Sequence, residues 1–211
     1  MLRSVQGLWA ERRRKNTGLM DLSELLSPER IRCHSDVQSK KRALQTLAEM
    51  LSVSLQAPIE ATEEDAEESE QTGSIGSLAN RILGKVNQPE VHDSSALSEM
   101  CILDAFIGRE RLGSTCLDHG FALPHCRIAD IDEPIAALLT LREGVDYDGS
   151  NKMAVDLMLG LLVPEDCNDE HLQILATLAK RFSDAEFRNQ MRTHTDPNEL
   201  YDYLCSLAPI E

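Results

Sequence analysis

The sequence lacks the features that mark several common classes of protein. No apolar run approaches the roughly 18 residues that a membrane-spanning helix needs, and aromatic residues make up only 4% of the chain. The phosphate loops GxxxxGK[ST] and GxGxxG are absent, so a nucleotide-dependent kinase finds no support. The basic residues 1–19 lack the apolar centre of a signal peptide. We therefore expect a cytoplasmic protein with no direct membrane insertion.

Positive charge is also scarce. The chain has 21 lysines and arginines against 36 aspartates and glutamates, which gives a net charge of −15. A protein that binds nucleic acid needs clustered positive charge, so we expect no nucleic-acid partner. Hydrophobic residues reach 42% over 211 residues, which is enough for a globular domain with a buried core.

The six cysteines are scattered and include no CxxC pair, which is typical of reduced thiols rather than of a disulfide framework. One group, Cys116, His119, His125 and Cys126, contains side chains of the kind that bind zinc. Zinc ligands are usually more tightly paired along the chain than these. We therefore expect no metal and no cofactor, and keep a zinc site as a minor alternative.

The composition divides the chain into a tail, a domain and an insertion. Residues 1–19 are predicted to be a disordered basic tail, and 20–208 to be one domain. An acidic, low-complexity stretch at about 57–98 interrupts that domain and is expected to be mostly unstructured. Before it, apolar residues at helical spacing predict a helix over 38–56.

After the insertion, helical and strand patterns alternate. Helices are predicted over 97–109, around 171–182 and from Asp196 onward, where Asp, Pro and Glu199 form an N-terminal signature. Strands are predicted over 121–123, 135–141 and 155–163. This alternation predicts an α/β fold, which we expect to be a single domain with a mixed central sheet and helices on both faces.

The stretch GFALPHC, residues 120–126, places a histidine directly after a proline. Pro124 fixes its own φ and favours extended geometry at Leu123, so a short strand should end near His125. Strand ends of this kind often carry functional groups. An ordinary turn histidine is the alternative for this stretch taken alone.

Five motifs together resemble a known family. They are QSKKRAL at 38–44, RERLGST at 109–115, GFALPH at 120–125, VDLMLGLLVP at 155–164 and HLQILATLAKRF at 171–182. This combination resembles the fructose/mannitol-type enzyme IIA (EIIA type 2) of the bacterial phosphoenolpyruvate-dependent phosphotransferase system, closest to its nitrogen-regulatory branch. The resemblance covers 22–56 and 99–205, about two-thirds of the chain.

The resemblance implies a role for each matching residue. His125 would accept a phosphoryl group from an HPr-like carrier, Arg109 would steady the phosphate, and His171 would be the second active-site histidine. The residues suit these roles, because a neutral imidazole needs no separate base and a guanidinium fits phosphate oxygens. Ser114 and Thr115 are expected to add hydrogen-bond donors to the phosphate.

The sequence departs from the family at Cys116 and Cys126, where glycine is usual. A side chain at 126 is expected either to crowd an approaching partner or to pack inward as a small apolar group. A redox-sensitive cysteine pair is a further, less favoured interpretation. His34, His92, His119 and His194 match no functional position and are expected to be ordinary surface histidines.

Three functions stay open at this point. The regulatory branch implies a phosphocarrier whose phosphorylation state controls proteins of nitrogen and potassium metabolism, such as transporters and sensor kinases. The sugar branch implies that the phosphoryl group passes to a separate IIB domain of a fructose/mannitol-type transporter. The third is a protein-interaction module that keeps the histidine without a relay.

Overall fold

The computed structural model describes residues 22–56, 97–148, 154–166 and 169–208. The predicted tail over 1–19 lies outside the described residues. So does the predicted insertion, except for Leu97 and Ser98. Ser98 belongs to the ordered structure, because its hydroxyl accepts a hydrogen bond from the Cys101 amide and caps the helix that follows.

Helices and strands alternate along the described chain. The α-helices are α1 (Leu22–Leu25), α2 (Lys40–Gln56), α3 (Glu99–Leu112), α4 (Asp169–Phe182), α5 (Ala185–Thr193) and α6 (Pro197–Cys205), with a 3₁₀ turn at Pro28–Arg30. The strands are β1 (Ile31–Ser35), β2 (Phe121–Ala122), β3 (His125–Ile128), β4 (Ile135–Val145) and β5 (Val155–Pro164).

These strands form one mixed five-stranded sheet in the order β1-β4-β5-β2, with β3 also paired to β5. β4 and β5 are antiparallel, whereas β1 runs parallel to β4, and β2 and β3 run parallel to β5. Alternate residues of β5 enter different cores, with Leu159 and Leu161 on one side and Met158 and Leu162 on the other. The expected α/β fold is therefore confirmed.

Each face of the sheet has its own helices. The core on the Leu159 side contains buried residues of α1, α4, α5 and α6. The core on the Met158 side contains buried residues of α2 and α3. Since both faces of the strands are covered, β4 and β5 are nearly continuous apolar runs, as buried strands usually are.

Strong local signals in the sequence located their elements well. The helix predicted from Asp196 is α6, and the Asp196 carboxylate accepts the amides of Asn198 and Glu199 at 2.8 and 3.1 Å. The helix predicted over 38–56 is α2. The sequence analysis missed β1, a five-residue strand that is mostly half-buried, and α5, a nine-residue helix. Both are too short for their apolar periodicity to stand out.

The predicted strand over 121–123 is present as β2 and ends before His125, but His125 itself begins a second strand, β3, instead of lying in a turn. Pairing with β5 pauses at Leu123 and Pro124, where the Pro124 carbonyl accepts the Leu161 amide at 2.9 Å, and it resumes at His125 opposite Leu161. β2 and β3 are thus two parts of one edge of the sheet, interrupted where proline has no N–H to offer. His125 begins β3 and is half-buried.

Gly120 closes the loop before β2 in a conformation that suits glycine. Its φ is +74°, and a Cβ built there would lie 3.0 Å from the Ala154 carbonyl oxygen and 3.1 Å from Nη2 of Arg192. We expect Gly120→Ala to lower the free energy of unfolding by about 1–3 kcal/mol, through the positive φ and the close contacts. Urea denaturation measures this change.

The matched control is Gly108→Ala. Gly108 lies inside α3 with nothing within 4 Å of the added Cβ, so alanine should stabilise the protein by about 0.5–1 kcal/mol. A Gly120→Ala protein at least as stable as wild type would contradict the prediction.

Candidate active site

The two hydrogen bonds of the His125 ring define its tautomer. Nδ1 lies 2.8 Å from the Leu123 carbonyl oxygen, which can only accept, so Nδ1 carries the proton. Nε2 lies 3.0 Å from Nε of Arg109, which can only donate, so Nε2 offers its lone pair. The neutral ring therefore presents Nε2 as the nucleophilic nitrogen, a choice that the sequence left open.

The surroundings of His125 keep its ring neutral. Burial, as the largest cause, lowers its pKa below the ordinary value of 6.5, and the positive charge of Arg109 lowers it further. The hydrogen bond to Leu123 and the charge of Glu110 act in the opposite direction and only partly offset these effects. A lowered pKa means that most molecules carry a neutral, nucleophilic imidazole at pH 7.

Arg109 comes from the last turn of α3 and makes two hydrogen bonds. Nε donates to His125, and Nη1 donates to the Gly113 carbonyl oxygen at 2.9 Å. Among the described residues no acceptor is bonded to Nη2 of Arg109, so one side of the planar guanidinium remains able to bind phosphate oxygens.

His171, the third residue of α4, lies beside His125. The two ring centroids are 5.5 Å apart, with a tilt of 52° between the planes. His171 is 8% exposed, and its buried Nδ1 has no hydrogen-bond partner. Burial, followed by the charges of His125, Arg127 and Arg109, lowers its pKa, so this ring is also neutral at pH 7.

Ser114 and Thr115 follow Arg109 in the turn after α3 but have different surroundings. Ser114 is exposed, and its Oγ accepts the Cys116 amide at 3.2 Å, so its own hydroxyl proton is available to another acceptor. Thr115 is buried, and both its amide and its hydroxyl donate to Oε1 of Glu110. In this geometry neither donor of Thr115 is available to a phosphate oxygen. Phosphate binding by Thr115 therefore stays a prediction.

Glu110 is the residue near the site that the sequence analysis missed. It lies inside the RERLGST motif, and its partner Lys40 lies inside QSKKRAL, at the start of α2. Both motifs contributed to the family resemblance, so the sequence indicated that the two segments are important for function. Which side chains meet is set by the packing of α2 against α3, which a one-dimensional pattern does not specify.

The two cysteines at positions where the family usually has glycine, Cys116 and Cys126, are both poorly reactive thiols. Cys126 is 7% exposed within the core beneath α2 and α3, and burial raises its pKa to about 12. Its thiol therefore packs inward and does not crowd the surface beside His125. Burial also raises the pKa of the half-buried Cys116, so neither thiol has the low pKa that favours oxidation.

Two of the other histidines, which were expected to be ordinary surface residues, are half-buried and make specific contacts. His34 is half-buried, with Nε2 2.8 Å from the Arg192 carbonyl oxygen, and His194 stacks on Tyr203 at 5.3 Å. His119 is exposed, as expected, and His92 lies outside the described residues.

Within the described ranges, no group of three or more His, Cys, Asp or Glu side chains is arranged to hold a metal ion. None of the described helices combines the length and apolarity needed to cross a membrane.

Comparison with known proteins identifies the class to which this fold and site belong. A family model described as "Phosphoenolpyruvate-dependent sugar phosphotransferase system, EIIA 2" matches residues 79–206. The chain therefore belongs to this EIIA type-2 family, a phosphotransfer component of that system. The match begins within the stretch predicted as an insertion and includes His125, Arg109 and His171.

The relatives point to one branch of the family. A nitrogen regulatory protein of Pseudomonas aeruginosa is 33% identical over 126 residues, which cover 60% of this chain and 82% of the relative. The crystal structure of the nitrogen regulatory protein IIA-Ntr of Neisseria meningitidis superposes with a TM-score of 0.63 at 27% identity, covering 87% of this chain and 98% of that one. The resemblance to the nitrogen-regulatory branch is thereby confirmed.

A third comparison concerns an assembly. The complex of mannitol enzyme IIA with phosphorylated enzyme IIB from Escherichia coli matches with a TM-score of 0.55, covering 86% of this chain and 98% of the matched one. At 16% identity this match shows the shared fold alone.

Proposed function

We propose that this protein is a phosphocarrier of the phosphoenolpyruvate-dependent phosphotransferase system and accepts the phosphoryl group on Nε2 of His125 from a phosphorylated HPr-like protein. The observation that carries the proposal is the pair of bonds on the His125 ring. The Leu123 carbonyl accepts the proton-bearing Nδ1–H, and the Arg109 guanidinium donates to the unprotonated Nε2.

The transfer forms one P–N bond and breaks another. Nε2 attacks phosphorus as the bond to the donor's histidine breaks, and the electron pair of that bond stays on the donor nitrogen. The Nε–H of Arg109, which now donates to the Nε2 lone pair, must give up that hydrogen bond before Nε2 can attack and then donate to a phosphoryl oxygen, with its proton staying on the guanidinium. The proton stays on Nδ1 and keeps its hydrogen bond to the Leu123 carbonyl, which stabilises the positive charge that the ring gains.

His171 and Ser114 complete the proposed phosphate site. A neutral His171 can donate one N–H to a phosphoryl oxygen, and the first turn of α4 adds the favourable end of a helix dipole. The exposed Ser114 hydroxyl can donate another hydrogen bond. Phosphoryl transfer depends on positioning and on positive charge near the oxygens. Arg109 provides the charge, and His171 and Ser114 help to position the oxygens.

The downstream role that we propose is regulatory. The protein acts in the cytoplasm, and its phosphorylation state controls its binding to proteins of nitrogen or potassium metabolism. The names of its relatives support this branch. Transfer to a separate IIB protein is the second candidate, supported by the mannitol IIA–IIB complex that shares the fold. The domain limits of 20–208, with an insertion at about 57–98, remain part of the proposal.

The direct test is phosphorylation in vitro. The protein is incubated with phosphoenolpyruvate, enzyme I and the HPr-like carrier, and its mass is followed. We expect one phosphoryl group that is labile in acid and stable in base, as a phosphohistidine is, and that peptide mapping locates at His125. No incorporation under conditions that charge the carrier would contradict the proposed relay and favour the interaction module.

The lowered pKa of His125 predicts a pH dependence. Since only the neutral ring is nucleophilic, the rate of phosphoryl acceptance should fall in acid with a midpoint below the ordinary histidine pKa of 6.5. Histidine NMR of the unphosphorylated protein should give a His125 midpoint below that of a free histidine peptide. A midpoint at or above the peptide value would contradict this prediction, and a separate pH profile of carrier charging controls for the donor.

A further inference from the structure

A buried carboxylate lies directly behind the proposed phosphate site. The Glu110 side chain is only 6% exposed. Its Oε1 accepts hydrogen bonds from the Thr115 amide at 3.1 Å, from the Tyr147 hydroxyl at 3.1 Å and from the Thr115 hydroxyl. Its Oε2 lies 2.7 Å from Nζ of Lys40. We call this group of four side chains the Glu110 cluster.

One chain of hydrogen bonds leads from the Glu110 cluster to the nucleophile. Glu110 holds Thr115 by two donors, as described above. The Thr115 carbonyl then accepts the Leu123 amide at 3.0 Å. The Leu123 carbonyl accepts Nδ1–H of His125 at 2.8 Å. The position of the Glu110 carboxylate therefore affects where the Leu123 carbonyl lies, and this carbonyl sets the His125 tautomer.

A second chain leads to the guanidinium. Backbone residues 113–115 fold back over the Glu110 side chain, with the Gly113 amide on the Glu110 carbonyl at 3.3 Å and the Thr115 amide on the carboxylate. This turn places the Gly113 carbonyl where Nη1 of Arg109 donates to it at 2.9 Å. The side chains of His125 and Arg109 are thus oriented by the Leu123 and Gly113 carbonyls, and both carbonyls are linked to Glu110 through the turn.

The Glu110 cluster is stiff because it contains a buried charge. A buried carboxylate is tolerated when it is paired and hydrogen-bonded. In Glu110, Oε1 accepts three hydrogen bonds, whereas Oε2 has the ion pair with Lys40 and no hydrogen bond. Lys40 provides the pairing charge, and its Nζ also lies 4.3 Å from the centre of the Tyr147 ring. Because any displacement of the turn would remove a bond from a buried charge, the turn is held in one geometry.

We propose that Glu110 is a positioning residue for phosphoryl transfer: through Thr115 and Leu123 it sets the tautomer and orientation of His125, and through the turn at Gly113 it sets the orientation of Arg109. The inference rests on the proposed phosphocarrier function. It assigns Thr115 to the support of the site, while Arg109 and His171 contact the phosphate. Since Glu110 is buried, it makes no contact with the donor protein.

The experiment compares Glu110→Gln and Thr115→Val with wild type. The matched control is Glu99→Gln, the same change at the other end of α3, where Glu99 accepts one hydrogen bond from Gln45 at 3.1 Å. The saturating rate of transfer and the KM for the phosphorylated carrier are measured by rapid quench. We expect the two cluster variants to lose about 10- to 100-fold in the saturating rate, the loss typical when a partner that orients a metal-binding histidine is removed. KM should change little, and the control should match wild type.

Thr115→Val separates positioning from electrostatics. It keeps the charge of Glu110 and the ion pair with Lys40, and removes only the hydroxyl bond to Glu110 and the hydroxyl contact with Tyr147. A loss of rate in Glu110→Gln alone would mean that Glu110 acts through its charge, and would overturn the inference. A rise in KM that accounts for the whole loss would also overturn it. Thr115→Val remains a test if Glu110→Gln does not fold.

Nitrogen-15 NMR of the histidine rings provides a readout that needs no phosphate donor. Wild type should show His125 protonated at Nδ1 alone, and the cluster variants should show a mixture of both tautomers. If wild type accepts no phosphate, the proposed function fails, and this spectrum still tests the positioning. If wild type accepts phosphate but the variants keep its rate and its single tautomer, only the inference about Glu110 fails.

Discussion

His125→Ala should reduce phosphoryl incorporation to background while the protein stays folded. The variant removes the Nε2 lone pair, and without a nucleophile the P–N bond cannot form. It also removes one hydrogen bond to Leu123 and one to Arg109. Both bonds lie near the surface at a half-buried edge strand, so we expect a loss of about 1–2 kcal/mol in the free energy of unfolding. Mass spectrometry after incubation with the charged carrier, together with thermal denaturation, measures both effects.

The control for this variant is His119→Asn. His119 is exposed six residues earlier and has a φ of +65°, a conformation that asparagine accepts readily. The control should take up phosphate as wild type does. Continued labelling of His125→Ala would mean that another side chain is the acceptor. Loss of its cooperative thermal transition would instead mean that His125 has a structural role.

Arg109→Ala should lower the rate of phosphoryl transfer by about 10²–10³-fold, the loss typical when a donor to a charged transition state is removed. The guanidinium is the cation in direct contact with the attacking nitrogen. Burial is the main cause of the lowered pKa of His125, and the charge of Arg109 adds to it. Removing that charge should raise this pKa, so the decline of rate with acid should begin at a higher pH than in wild type. Single-turnover rapid quench across pH 5.5–8 measures both changes (an ordinary working range for histidine titration).

Two further variants interpret the Arg109 result. Arg109→Lys keeps the charge but cannot donate to His125 and to Gly113 with the same planar geometry, so it should recover only part of the rate. Arg111→Ala removes an exposed arginine from the same turn of α3. If Arg111→Ala lowers the rate as much as Arg109→Ala does, the effect comes from charge on the docking surface and not from contact with the phosphate.

Local chemistry explains which parts of the fold were predictable. The helix at Asp196 was found because capping residues act within one turn of the chain. β4 and β5 were found because strands buried on both faces are apolar throughout. β1 and the second half of the edge strand were missed, because their pairing depends on β4 and β5, which lie far along the chain.

The site was predictable in its components and less so in its contacts. His125, Arg109 and Ser114 fall in two neighbouring motifs, and the resemblance to the EIIA family added His171 from a distant helix. The sequence placed Thr115 on the phosphate, whereas the structure bonds both of its donors to a glutamate that received no role. It offered three interpretations of Cys126, and the packing of the core favours the inward one.

The sequence by itself determined the family, the α/β class and the identity of the proposed nucleophile, because residue chemistry and local propensity are written in short stretches of chain. Only the tertiary structure decided which nitrogen of His125 is free, where the Arg109 guanidinium points and what holds both in place. These features depend on single hydrogen bonds of about 3 Å, between groups that the sheet and the helices bring together. A shift of about 1 Å would remove such a bond without changing a residue type in any motif.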